Sequence, residues 1–147
     1  MRPDAKRRKK KMDIKEYLRG VRKLSNDIES MKRMRERLKY ELLGHGIPIK
    51  QTFVQESTPM DKMASTMASV TDLEKEIEKR IRVLAKEQAE ALAIIQTLKK
   101  PEYRAILIDY YLNDYTWEEV ANLHGYAPKY VERLHGLALN ELRESGY

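Results

Sequence analysis

The sequence predicts an all-α chain in which two long helices of coiled-coil type precede a C-terminal three-helix unit of helix-turn-helix type. Two segments carry apolar residues on alternating steps of three and four. A cluster of glycines and prolines separates them. The last third holds a helix-capping pair and a turn glycine at the spacing that two steeply crossing helices require.

Composition narrows the function before any motif is read. The 147 residues, 41% of them hydrophobic, suffice for modest cores and not for a large enzyme. With no cysteine, disulfides, thiolate nucleophiles and cysteine-ligated zinc are excluded together. His45, His124 and His135 are widely spaced and no carboxylate cluster completes a ligand set around them, so no metal, cofactor or catalytic step is expected. No run approaches the roughly 18 apolar residues of a membrane helix, and the N-terminus lacks the apolar stretch of a signal peptide. The expected location is the cytoplasm.

Residues 1–12 are read as a disordered basic arm, with Lys6, Arg7, Arg8, Lys9, Lys10 and Lys11 in one unbroken run. Such a run suits a phosphate-seeking arm, or else a solvated tail. Residues 13–43 form the first long helix, its seam marked by Ile14, Tyr17, Val21, Leu24, Ile28, Met31, Leu38 and Leu42. Residues 44–60, with Gly44, Gly46, Pro48 and Pro59, are a linker. The second long helix, 61–99, repeats the rhythm through Met63, Met67, Val70, Ile77, Ile81, Leu84, Ala91, Ile95 and Leu98. Each seam must bury itself, either in a hairpin within one chain or against another copy. Apolar residues left over after a hairpin forms, among them Tyr40, Leu43 and Val83, favour a homo-oligomer.

Pro101 opens a helix running to about Leu112, with Tyr103, Ile106, Leu107 and Tyr110 on its apolar face, and Asn113 and Asp114 break it. Thr116 and Glu119 are spaced as a capping box for a short helix from Trp117 to His124. Ala121 is the small residue where two helices cross, Gly125 the turn glycine, and Val120, Tyr126, Val131 and Leu134 the apolar anchors. Pro128 opens the last helix, and Ala127 stands where a Ser or Thr cap is usual. With Val131 and Leu134 turned inward, helical geometry turns Lys129, Glu132, Arg133 and Gly136 outward. Lys129 or Arg133 can donate to guanine and Glu132 can accept from a cytosine amino group.

The stretch 101–147 resembles region 4 of bacterial sigma factors, and more closely the ArpU/RinA-type regulators of phage late genes in Gram-positive bacteria. The residues that carry the resemblance are Thr116 to Ala121, the Gly125-Tyr126 turn, Val131, Arg133, Leu134, His135, Ala138 and Leu139. The chain departs from the sigma pattern in Pro128, Glu132 and the missing serine cap. The resemblance implies a sequence-specific transcription regulator in a bacterial host, with double-stranded DNA as partner and host RNA polymerase as a second candidate partner. The expected DNA-contacting residues are Thr116, Trp117, Pro128, Lys129, Tyr130, Glu132 and Arg133. Phosphate contacts are expected from Lys6, Arg7, Arg8, Lys9, Lys10, Lys11, Lys99, Lys100 and Arg104. Two other functions fit the same outline: a small terminase-like packaging subunit, and a protein that docks on polymerase without reading bases.

Charge is distributed against the simplest form of this reading. The net charge is +6, yet residues 101–147 hold Arg104, Lys129, Arg133 and Arg143 against eight carboxylates, a net of -4. Because phosphate contacts supply most DNA affinity, the basic arm, a paired copy or polymerase must contribute what this segment lacks.

Overall fold

The computed structural model describes residues 12–44 and 59–147. The basic run Lys6 to Lys11 and residues 45–58 of the expected linker lie outside the described residues. Among the described residues all regular structure is helical: α1 (Ile14–Leu42), α2 (Pro59–Ile95), α3 (Pro101–Leu107), α4 (Trp117–His124) and α5 (Pro128–Glu144). A π-helical turn, Ile108–Leu112, continues α3. No helix among them is long and apolar enough to cross a membrane.

Two compact units are present, and both long helices contribute to each. One, the discontinuous unit, comprises residues 12–23 with 86–147; the other, the central unit, comprises residues 24–85. In the discontinuous unit α3 and α4 both pack on α5. Its core holds Ile14, Leu18 and Val21 of α1, Ala91 and Ile95 of α2, and Leu98. Ile106, Leu107, Tyr111, Val120, Val131, Ala138 and Leu142 are buried in the same unit. Each fully buried Ile, Leu or Val contributes roughly 1.5 to 3 kcal/mol.

The seam of α1 differs from the one the heptad reading predicts. Ile14, Val21 and Ile28 are buried as expected, but the second buried row is Leu18 and Ser25, while Tyr17 and Leu24 are only half-buried. Both rows flank the shared Ile14, Val21 and Ile28 line at helical spacing, so periodicity alone does not choose between them. Tyr17 sits at the margin, where its hydroxyl donates to the Glu87 carbonyl oxygen over 3.4 Å.

The α2 seam is also shorter than expected. In the central unit Val70 and Ile77 are buried, whereas Met63, Met67 and Ile81 are exposed. The Lys39 ammonium meets a Glu74 carboxylate oxygen at 3.0 Å, and α1 ends at Leu42, so little of α1 remains to cover the methionines.

A third departure comes from the π-helical turn. Here the Asn113 amide bonds back to the Ile108 carbonyl and the Tyr115 amide to that of Asp109, which inserts extra residues into the turn. Tyr111 therefore takes the buried position that an uninterrupted 3.6-residue period gives to Tyr110. Asp114, at φ 61°, reverses the chain in the left-handed region that short polar side chains tolerate.

Candidate nucleic-acid interface

The local structure around α4 and α5 follows from a few side chains. At the start of α4 the Thr116 hydroxyl oxygen accepts from the Glu119 amide and the Glu119 carboxylate accepts from the Thr116 amide, each at 3.2 Å. Two orphan amides are thus satisfied reciprocally. At the other end Gly125 takes φ 66°, and the Tyr126 and Gly125 amides bond to the Ala121 and Asn122 carbonyls. This 6→1 and 5→2 pair is a Schellman termination, which needs a residue free to adopt the left-handed region. Helix α5 then begins at Pro128, with Ala127 giving no side-chain cap.

On α5 the inward positions are Val131, Leu134, Ala138, Leu139 and Leu142. Pro128, Lys129, Glu132 and Arg133 are exposed on the opposite side of its first two turns. Tyr130 is partly exposed and meets the Tyr126 ring edge to face at 5.0 Å. His124 is half-buried, its Nε2 2.7 Å from an Asp109 carboxylate oxygen, which ties the end of α4 to the π-helical turn.

Trp117 is occupied elsewhere. Its indole stacks on Tyr110 at 3.6 Å between ring centroids and meets His135 edge to face at 4.6 Å. The guanidinium of Arg22, from α1, lies over the other participant, 4.1 Å from the centre of the Tyr110 ring. Arg22 also donates to the carbonyl oxygens of Tyr110 and Tyr115, satisfying backbone acceptors at the irregular end of the α3 extension. Farther along, Arg143 of α5 grips both carboxylate oxygens of Asp13, at 2.8 and 3.0 Å, and these bonds hold the Asp13 carboxyl below the usual carboxylate range.

The structure gathers some of the expected contact residues and separates others. Lys99, Lys100, Tyr130 and Arg133 line one groove of about 650 Å³ between the start of α3 and the outer side of α5. Arg104 is turned to the connection between α2 and α3, where it donates to the Leu98 and Lys99 carbonyls at 2.6 and 3.0 Å. Thr116 and Trp117 are not among the groove residues. Sequence reasoning missed Asp13 and Arg22. Their partners lie 130 and 88 residues away, and no local spacing marks such a pairing.

Burial separates two neighbouring titrating groups. His135 is held down to about 4, chiefly by burial and then by the nearby charges of Lys15, Arg19 and Arg143. Burial pushes the Tyr111 hydroxyl up to about 12. The two side chains meet at 2.8 Å between the hydroxyl and Nε2 of the neutral ring. A base held below its ordinary 6.5 binds fewer protons folded than unfolded, so its contribution to stability is complete above that value. The contribution should decline as the pH falls from 6.5 toward about 4. Thermal melts across that window should show a falling midpoint, and the fall should be shallower in His135→Gln. An identical slope in the variant would assign the effect to other groups.

In comparisons with known proteins, no family model, curated protein or solved structure matches this chain.

Proposed function

We propose that α4, the Gly125 turn and α5 form a helix-turn-helix that reads double-stranded DNA, and that the protein is a transcription regulator of the phage late-gene type. The observation that supports this reading most is the division of α5. Val131 and Leu134 are buried, while Lys129, Glu132 and Arg133 are exposed at the end that follows the turn. A helix presented in this way offers donors and an acceptor to base edges in a major groove. The regulator acts as an oligomer, in which the central unit's exposed Met60, Met63, Met67, Tyr40 and Leu43 meet a second copy. Pairing two readers compensates for the scarcity of cations on each.

Selection of bound duplexes from a random pool at moderate salt, followed by sequencing, tests the reading. A shared motif is the expected result; a pool that stays random after repeated rounds would refute sequence recognition. On the selected site Arg133→Ala should cost about 1 to 3 kcal/mol and relax discrimination at one base pair. Lys129→Ala should do the same at a neighbouring pair, or weaken all duplexes alike if it meets phosphate. If both variants keep the wild-type ratio of selected to scrambled affinity, α5 is not the reader.

A further inference from the structure

The groove between the start of α3 and the outer side of α5 combines two properties that DNA recognition does not require together. Its rim carries three cations, Lys99, Lys100 and Arg133, against the single carboxylate of Glu102. Lys99 and Arg133 form no ion pair with another described residue. This local excess stands out because residues 99–147 as a whole carry a net charge of -2, from six cations and eight carboxylates. The floor, in contrast, is apolar. Tyr103 and Leu134 are buried beneath it, and Tyr130 and Leu137 stay 44% and 41% exposed along its side.

A duplex backbone would match the cations and leave the apolar side chains wet, since it presents phosphates and no apolar group long enough to seat among them. A polypeptide with an apolar side chain between carboxylates matches both, covering Tyr130 and Leu137 while its acids meet the three cations. We infer that this groove is a docking site for an acidic segment of a partner protein, anchored by an apolar side chain. Arg133 belongs to both the groove and the proposed base-reading face, so the segment and DNA exclude each other there. This last step rests on the DNA-binding reading; the docking itself does not.

The full chain is titrated into a fluorescein-labelled synthetic peptide that holds one Leu-Phe pair between two runs of Asp and Glu, and anisotropy is followed. Saturable binding is expected. Lys99→Glu and Arg133→Glu should each weaken it about tenfold or more. Replacing the Leu-Phe pair by Ala-Ala should weaken it comparably. The reversal Lys86→Glu, on an exposed turn of α2 away from the groove residues, should leave it within about twofold. Circular dichroism establishes that each variant remains folded. Unchanged binding by the Lys99→Glu or Arg133→Glu variant, or equal binding of the Ala-Ala peptide, overturns the site.

A labelled duplex carrying the selected sequence provides the second arm, and the peptide should displace it. If Lys99→Glu loses affinity for the duplex while still binding the peptide as before, the groove belongs to the DNA backbone and the docking proposal fails. Should no sequence be selected at all, the DNA reading fails while the peptide titration still decides the groove.

Discussion

Replacing Val131 by aspartate is expected to unfold the discontinuous unit and to abolish binding to every duplex. Val131 is 1% exposed and fixes α5 to its neighbours from the inward side of the first turns. The substitution removes the roughly 1.5 to 3 kcal/mol that valine burial contributes. It also leaves an ionisable group in an interior built from apolar side chains, at a cost of several kcal/mol more. The sum approaches the whole stability of an ordinary domain, about 5 to 15 kcal/mol. Far-ultraviolet circular dichroism should show a melting midpoint lowered by more than about 10 °C, or no cooperative transition. Arg133→Ala, two positions along and exposed, should melt within about 2 °C of wild type, so lost affinity in that variant reports contact and not unfolding. A wild-type midpoint for Val131→Asp would remove α5 from the core.

Ile77→Asp and Ile81→Asp should part company although they are one helical turn apart. Ile77 is 2% exposed in the central unit, so the first variant should lose several kcal/mol and much of the helical signal of that unit. Ile81 is 41% exposed, and an aspartate there should change the stability of a single copy by about 0.5 kcal/mol or less. If the exposed apolar side of the central unit meets a second copy, Ile81→Asp should lower the mass measured by light scattering and keep the helicity. Unchanged mass at every concentration would move the contact away from Ile81. A collapse of helicity in Ile81→Asp would contradict its exposure.

What could be read from the sequence divides along the range of the interactions. Thr116 with Glu119 and the glycine at Gly125 are local devices, each decided within a few residues, and their geometry is the one their spacing predicts. The inward set Val131, Leu134, Ala138 and Leu139 follows directly from the helical period. Tyr110 and Tyr111 exchange roles because a π-helical turn has its own period, and nothing in Ile108 to Leu112 announces it. Leu18 against Tyr17 was undecidable for another reason, since both rows border the same line of isoleucine and valine and only the partner helix selects one. Trp117 illustrates the remaining gap. Its place at the head of α4 suggests a DNA contact, yet its surface is taken up by Tyr110 and His135, with Arg22 of α1 on the far side of Tyr110.

The chain is synthesised from its N-terminus, and the division of one unit between residues 12–23 and 86–147 acquires a meaning in time. Ile14, Leu18 and Val21 leave the ribosome well before Tyr110, Tyr115 and Arg143, whose groups engage Arg22 and Asp13. The nascent start of α1 therefore waits with an apolar stripe uncovered while residues 24–85 are made, a period in which chaperones or a neighbouring nascent chain can reach it. Closing an unstructured span from residue 24 to residue 85 would cost roughly 3 to 4 kcal/mol in chain entropy. Early helix formation within that span shortens the effective loop and lowers the cost. Residues 24–85 can thus organise before the two segments that flank them are joined.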